Sequence, residues 1–179
     1  MEDKIYRSKY EAYHFLSDDP DDLKCDFEIF TDEIASHIGL LKSLVKDKDI
    51  QKELLTIGEL VYHINPSLRT FVSVTEDELN WLENCTSRIY EEVKGRHKNF
   101  VLPQGSTSAA CAHIIRTKCN ALVRMLYRYS YLGNKVPNIV FDFTNLLSGY
   151  FLNLAHKLNH LNGVEEIEFK SRNYKWGIE

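Results

Sequence analysis

Apolar residues recur at steps of three and four along most of the chain after residue 25, which predicts a series of amphipathic helices. The first stripe is Phe27, Phe30, Ile34, Ile38, Leu41 and Val45. Asp26 is a candidate N-cap for this helix, because its carboxylate can accept hydrogen bonds from free backbone N–H groups. The second stripe is Ile50, Leu54, Ile57, Val61 and Ile64, and it ends at Asn65 and Pro66.

Three further helices follow from local start and stop signals. Thr75 and Glu78 form the pattern of a capping box, ahead of a third stripe that ends near Gly95: Leu82, Cys85, Ile89 and Val93. A fourth helix is predicted from Ser106 or Thr107 to about Tyr131, and a fifth from Pro137 to about Leu161. Five long helices with short connections predict an all-α bundle over residues 26–161. Residues 1–25 form a polar N-terminal arm, and residues 162–179 form a tail with a weakly alternating, extended pattern.

Composition narrows the class of protein further. The chain has 179 residues, of which 44% are apolar, and this suits one hydrophobic core. A formal net charge of −4 gives no reason to expect nucleic acid as a partner. No apolar run approaches the length of a membrane span, the first residues lack the apolar segment of a signal peptide, and the cysteines show no CxxC pairing. We therefore expect a cytoplasmic protein with reduced thiols.

The fourth helix carries a row of polar residues spaced by four: Arg116, Asn120, Arg124 and Arg128. This spacing places them on one helix face, and no acidic residue occurs between 107 and 141 to pair with them. A solvated face is the common outcome for such a row, and an anionic or phosphorylated ligand is the alternative. Ser106 and Thr107 at the helix start can cap it or bind a phosphate, and capping is the commoner role.

Other candidate groups have two interpretations each. Asp32 lies early in the first helix, where it favours the helix dipole or pairs with an arginine of the fourth helix. His156 and His160 have a spacing that can chelate zinc, but no nearby carboxylate or cysteine completes the site, so we predict no protein-bound metal. Phe100 either plugs one end of the bundle or acts as a rigid wedge against a flat ligand.

Several segments together resemble the PduO-type ATP:cob(I)alamin adenosyltransferases. The family pattern DELNSxxG has its counterpart in residues 32–39, and the family's helix that begins with TE and ends with LE has its counterpart in residues 75–83. FxLPGG corresponds to residues 100–105, and NRLSDY to residues 145–150. The motif HxxRTxCRRxER matches at His113, Arg116, Thr117, Cys119 and Arg124. The order and spacing hold over about residues 26–160.

The resemblance implies a five-helix bundle of the cobalamin adenosyltransferase type, with ferritin-like up-and-down packing, that assembles as a homotrimer with active sites between subunits. It implies transfer of the 5′-deoxyadenosyl group of ATP to the cobalt of reduced cobalamin, with magnesium on the phosphates. Phe100 would press against the lower corrin face, and Asp32 and Arg116 would pair across the subunit interface. Asn145 would contact the nucleotide, and Arg124, His113, Ser106 and Thr107 are further candidate ligand-binding residues.

The chain departs from the family pattern mainly on the phosphate side. No glycine precedes Gly39, so the family's glycine-bearing phosphate loop is absent from the sequence. Asn120 and Val123 stand where the motif has an arginine and a glutamate. Two functions follow as hypotheses: an adenosyltransferase whose arm supplies other phosphate contacts through Lys4, Arg7 and Lys9, or a non-catalytic paralogue that binds a corrinoid or another ligand as a carrier or sensor. A purely structural or interaction protein is a third.

Overall fold

The protein is described by a computed structural model that covers residues 5–96 and 100–173, so Lys4 and the tail beyond 173 lie outside the described residues. The five long helices are α1 (Lys24–Leu44), α2 (Lys48–Ile64), α3 (Glu76–Val93), α4 (Thr107–Tyr131) and α5 (Asn138–Leu161). Short 3-10 turns, Asn65–Leu68 and Lys94–Arg96, follow α2 and α3. Within the described residues the β-pairing is limited to one isolated bridge between Val101 and Glu168. The all-α prediction is confirmed.

Local capping explains where three of these helices begin. The Thr75 hydroxyl accepts a hydrogen bond from the Glu78 amide at 3.3 Å, and the Glu78 carboxylate accepts one from the Thr75 amide at 2.8 Å. Ser106 accepts from the Ala109 amide at 3.2 Å, and the Asp47 carboxylate caps α2 in the same way. These bonds satisfy backbone donors that have no partner inside the helix.

The predicted N-cap of α1 is wrong. Leu23 occupies the cap position with a φ of 59°, and it makes no side-chain cap hydrogen bond. The Leu23 side chain is buried in the core, and this packing starts the helix at Lys24, two residues before Asp26. Asp26 consequently lies in the first turn, where a carboxylate still favours the positive end of the helix dipole.

The helices form one bundle in which α1 lies between α2 and α4, and α5 lies between α4 and α3. The most extensive contact is the one between α4 and α5. Lys118 on α4 pairs with Glu33 on α1, and Cys111 lies 3.9 Å from the carbonyl oxygen of His37, so α1 and α4 run antiparallel. The largest fully buried side chains are aromatic: Tyr150, Phe27, Phe143 and Phe151.

A buried ion pair holds the N-terminal arm on the bundle. Arg69 contacts Glu28 at 2.7 Å and Asp18 at 3.0 Å, and its guanidinium stacks 3.6 Å from the ring centroid of Phe15. The Tyr13 hydroxyl donates to Glu28 at 2.8 Å, and burial together with this carboxylate raises the pKa of Tyr13 to about 12. Residues 13–18 are therefore fixed at the end of the bundle where α1 begins.

None of the helices in the described part of the chain is long and apolar enough to cross a membrane.

Candidate active site

The loop before α4 is held by the end of α5. The amide of Ser106 donates to Oδ1 of Asn159 at 3.0 Å, and Nδ2 of Asn159 donates to the carbonyl of Gln104 at 3.1 Å. Asn159 is fully buried. Gly105 has a φ of 137°, and a Cβ there would lie 1.9 Å from the Asn159 oxygen, so only glycine fits this approach. Phe100, at the start of this loop, has 73% of its surface exposed and does not plug the bundle.

The C-terminal tail runs beside the same loop. The amide of Leu102 donates to the carbonyl of Ile167 at 2.8 Å, and the amide of Phe169 donates to the carbonyl of Phe100 at 2.7 Å. The extended tail predicted from the sequence is confirmed for these residues. Phe100 is thus an exposed aromatic side chain at the start of a backbone segment that is hydrogen-bonded to the tail.

Two histidines meet between α4 and α5 below this loop. His113 and His156 are both buried, with ring centroids 6.3 Å apart in an edge-to-face arrangement. Nδ1 of His156 lies 2.5 Å from the Glu166 carboxylate, whereas neither ring nitrogen of His113 has a hydrogen-bond partner among the described residues. Burial first, then the charges of Arg116 and His156, lowers the pKa of His113 to about 4. His113 is therefore a neutral imidazole at neutral pH.

Asp32 and Arg116 do not contact one another within the described part of the chain. The Tyr62 hydroxyl donates to Asp32, and the ion pair between α1 and α4 is formed by Glu33 and Lys118. Arg116 is half-buried, and its Nε has no hydrogen-bond partner in the described residues. A pair between Asp32 and an arginine of α4 is therefore absent from the described single chain, and pairing between subunits stays a prediction.

The remainder of the arginine row lies along an open groove. This groove has a volume of about 540 Å³ and is lined by Arg124, Arg128 and several apolar residues, namely Leu23, Met125, Tyr127 and Tyr131, together with Asp26. Arg128 lies 3.8 Å from Asp21 of the arm, and both side chains are exposed. Cations, tyrosine rings and an open shape can accommodate an anionic aromatic ligand.

The amide side chains of α4 and α5 are partly occupied by local contacts. Asn120 accepts a hydrogen bond from the Ser148 hydroxyl at 2.7 Å. Asn145 is exposed, and its Nδ2 donates to the Phe141 carbonyl one turn earlier at 2.9 Å. Ser106 caps α4, so its hydroxyl has the commoner of the two roles expected for it.

The candidate residues fall into two groups along α4. Phe100, Ser106, Thr107 and His113 lie toward its N-terminal end, and Arg124 lies toward its C-terminal end. Since a helix rises 1.5 Å per residue, Thr107 and Arg124 are roughly 25 Å apart. One small ligand on a single chain cannot contact both groups.

The two histidines of α5 differ in their surroundings. His156 is buried against Glu166, whereas His160 is exposed. Across residues 5–96 and 100–173, no group of three or more histidine, cysteine, aspartate or glutamate side chains is arranged to hold a metal ion.

The family model described as cobalamin adenosyltransferase matches residues 26–158. The chain belongs to the cobalamin adenosyltransferase family. The match spans the bundle and includes Asp32, Phe100, Arg116 and Asn145.

Two curated relatives are similar to this chain over most of its length. The corrinoid adenosyltransferase of Bacillus subtilis (strain 168) is 27% identical over 161 residues, which is 85% of this chain and 82% of that protein. The cobalamin adenosyltransferase of Cupriavidus metallidurans is 29% identical over 141 residues, which is 76% of this chain and 74% of that protein.

Solved structures share the fold of this cobalamin adenosyltransferase family member. A variant PduO-type ATP:corrinoid adenosyltransferase from Lactobacillus reuteri, complexed with cobalamin and ATP, superposes with a TM-score of 0.73 at 23% identity. The superposition covers 84% of this chain and 87% of that one. A second variant of that enzyme, complexed with ATP, gives the same TM-score and covers 83% and 88% of the two chains.

Sequence reasoning missed three residues that organise the site: Asn159, Glu166 and Arg69. Asn159 and Glu166 act on a loop more than 50 residues away in sequence, as the separation of 53 between Ser106 and Asn159 shows. Asn159 is one of several polar residues in the C-terminal part of α5, so the sequence did not distinguish it. The acidic tail and the polar loop around Arg69 gave no local signal of burial.

Proposed function

We propose that this protein is an ATP:cob(I)alamin adenosyltransferase, a transferase that moves the 5′-deoxyadenosyl group of ATP to the cobalt of reduced cobalamin. The observation that carries the proposal is the family match over residues 26–158. Both curated relatives bear names of this activity.

The reaction sets two demands on the protein. The electron pair of cobalt(I) forms a bond to the 5′ carbon of ATP, and the bond from that carbon to oxygen breaks, so the pair leaves with triphosphate. Magnesium on the phosphates would offset part of this charge. The protein must bring cobalt and carbon together without water, and it must place cations beside the departing triphosphate.

Phe100, Asp32 and Arg116 are assigned to the corrinoid side. An exposed phenyl ring on a hydrogen-bonded loop can press against the lower corrin face and exclude an axial ligand. The guanidinium of the half-buried Arg116 forms no ion pair among the described residues, and the exposed Asp32 of a neighbouring subunit is a carboxylate that can pair with its terminal nitrogens.

The nucleotide side is assigned to residues at both ends of α4. Arg124 in the tyrosine-lined groove offers a charged donor to phosphate oxygens, and Asn145 offers an exposed amide. Thr107 and Ser106 offer hydroxyl and backbone groups at a helix N-terminus, which is the positive end of the dipole. Arg7 and Lys9 of the arm supply further exposed cations, in place of the family's phosphate loop.

A homotrimer with the site between subunits reconciles the two groups. The distance of roughly 25 Å between them along α4 is too large for one site on one chain, but a neighbouring subunit can bring its opposite end close. Cobalt(I) requires a strongly reducing environment, and with four free cysteines we place the protein in the cytoplasm.

Separate calorimetric titrations test the function against its alternatives. The adenosyltransferase requires binding of both cobalamin and ATP with magnesium. A carrier or sensor requires cobalamin binding with weak or absent ATP binding, a result that the positions of Asn120 and Val123 would then explain. Binding of neither ligand would overturn both assignments and leave an interaction protein.

A further inference from the structure

The loop that carries Phe100 needs an external support to hold its side chain in one place. Phe100 is 73% exposed, so little packing restrains its ring, and its position depends on the backbone that bears it. Asn159 restrains that loop at Gln104 and Ser106, at the end next to α4. The end nearest Phe100 is restrained by the tail.

The contact between tail and loop begins at the carbonyl of Phe100 and brackets the next residue, Val101. One backbone bond joins Phe169 to the carbonyl of Phe100 itself, and another joins Leu102 to Ile167. Two backbone hydrogen bonds on an isolated bridge are weak when alone, since an isolated pair of short strands is marginal in water. The tail therefore needs an anchor of its own.

Glu166 is this anchor. Its side chain is 8% exposed, that of His156 is 4% exposed, and the two are 2.5 Å apart. A carboxylate removed from water is unfavourable unless it is paired, so the tail keeps this position only while the contact with His156 is made. Ile167, which bonds to the loop, is the next residue along the chain.

We propose that the contact between Glu166 and His156 positions Phe100 for the corrinoid. Glu166 and His156 are then positioning residues of the reaction. This inference rests on the proposed function, which assigns Phe100 to the lower corrin face. Neither residue need touch a substrate, because the effect passes through the backbone of residues 166–169 and 100–102.

Glu166→Ala tests the proposal, and Glu168→Ala is its matched control. Glu168 is exposed and lies in the same tail, and its backbone forms the bridge with Val101. In the protein without substrates, hydrogen exchange of the Leu102 and Phe169 amides is expected to accelerate about tenfold or more in Glu166→Ala and to stay unchanged in Glu168→Ala. If the alanine variant does not fold, Glu166→Gln replaces it in the test, because glutamine keeps the shape of the side chain and removes its charge.

Steady-state kinetics then show whether the support matters for the reaction. We expect Glu166→Ala to raise KM for cobalamin or lower kcat by about tenfold, with KM for ATP unchanged. The absorbance of bound cobalt(II) cobalamin, which depends on its axial ligand, should shift toward that of the free corrinoid. If the tail had only a structural role, Glu166→Ala would change neither this spectrum nor the KM of one substrate alone.

The outcomes separate this proposal from the function on which it rests. Unchanged amide exchange in Glu166→Ala, or faster exchange with unaltered cobalamin kinetics and spectrum in an active protein, overturns the positioning role. A parent protein that neither binds cobalamin nor turns it over overturns the proposed function, and the positioning role with it. Faster exchange together with a cobalamin-specific defect supports the proposal.

Discussion

The buried His113 makes the stability of the bundle depend on pH in a defined window. Its side chain lies in the core, and neither ring nitrogen has a hydrogen-bond partner in the described residues. Burial, followed by the charges of Arg116 and His156, lowers its pKa from 6.5 to about 4. In the unfolded chain the same imidazole takes up a proton near its ordinary pKa of 6.5.

The direction and size of the effect follow from proton uptake. Between pH 6.5 and about 4 the unfolded state binds more protons than the folded state, so the free energy of unfolding falls as the pH falls. One such group contributes a slope of at most about 1.4 kcal/mol per pH unit, and about 3 kcal/mol over the whole window. Above pH 6.5 this contribution no longer varies.

Urea denaturation at a series of pH values measures this slope. We expect the free energy of unfolding of His113→Leu to change with pH by up to about 3 kcal/mol less than that of the parent protein. At pH 7 the variant should be no less stable than the parent, since the imidazole has no hydrogen bond to lose. Replacing the exposed His63 in the same way is the control, and it should leave the pH dependence intact. Parallel pH profiles for His113→Leu and the parent would refute the reasoning.

Three further substitutions test other parts of the account. In the proposed homotrimer, Arg116→Ala would remove a cation from the subunit interface, so it should lower turnover about 100-fold or more and weaken the assembly in sedimentation; unchanged turnover rules out this role. Gly105→Ala should lower the free energy of unfolding by about 2–4 kcal/mol, because the added Cβ meets the Asn159 side chain. Gly133→Ala, also at positive φ but in open space, should lower it by about 1 kcal/mol. Equal losses would contradict the close approach of Gly105 to Asn159. Arg69→Met should cost about 3 kcal/mol in denaturation, because it strands the buried Glu28 carboxylate; no loss would mean the pair is unimportant.

Helix boundaries set by neighbouring residues could be predicted from the sequence. The capping box of Thr75 and Glu78 and the cap at Ser106 are formed within four residues, so the pattern contains both partners. The start of α1 could not be predicted in this way, because burial of Leu23 against the rest of the bundle decides it. Tertiary packing here overrides the local preference of Asp26.

The positions of the candidate arginines along α4 could be predicted from the sequence, but the contacts that support the Phe100 loop could not. Spacing by four correctly placed the arginines along α4, because that relation is fixed by the helix alone. The support of the Phe100 loop depends on Asn159 and Glu166, which reach it only after α5 and the tail fold back. Contacts of that kind leave no periodic signal in the chain.

Anaerobic incubation of the purified protein with reduced cobalamin, ATP and magnesium tests directly whether it is an adenosyltransferase. We expect adenosylcobalamin, seen by its absorbance, and triphosphate in equal amounts. We also expect Phe100→Ala to lower this yield. No adenosylcobalamin at protein concentrations equal to those of cobalamin would contradict the proposed function.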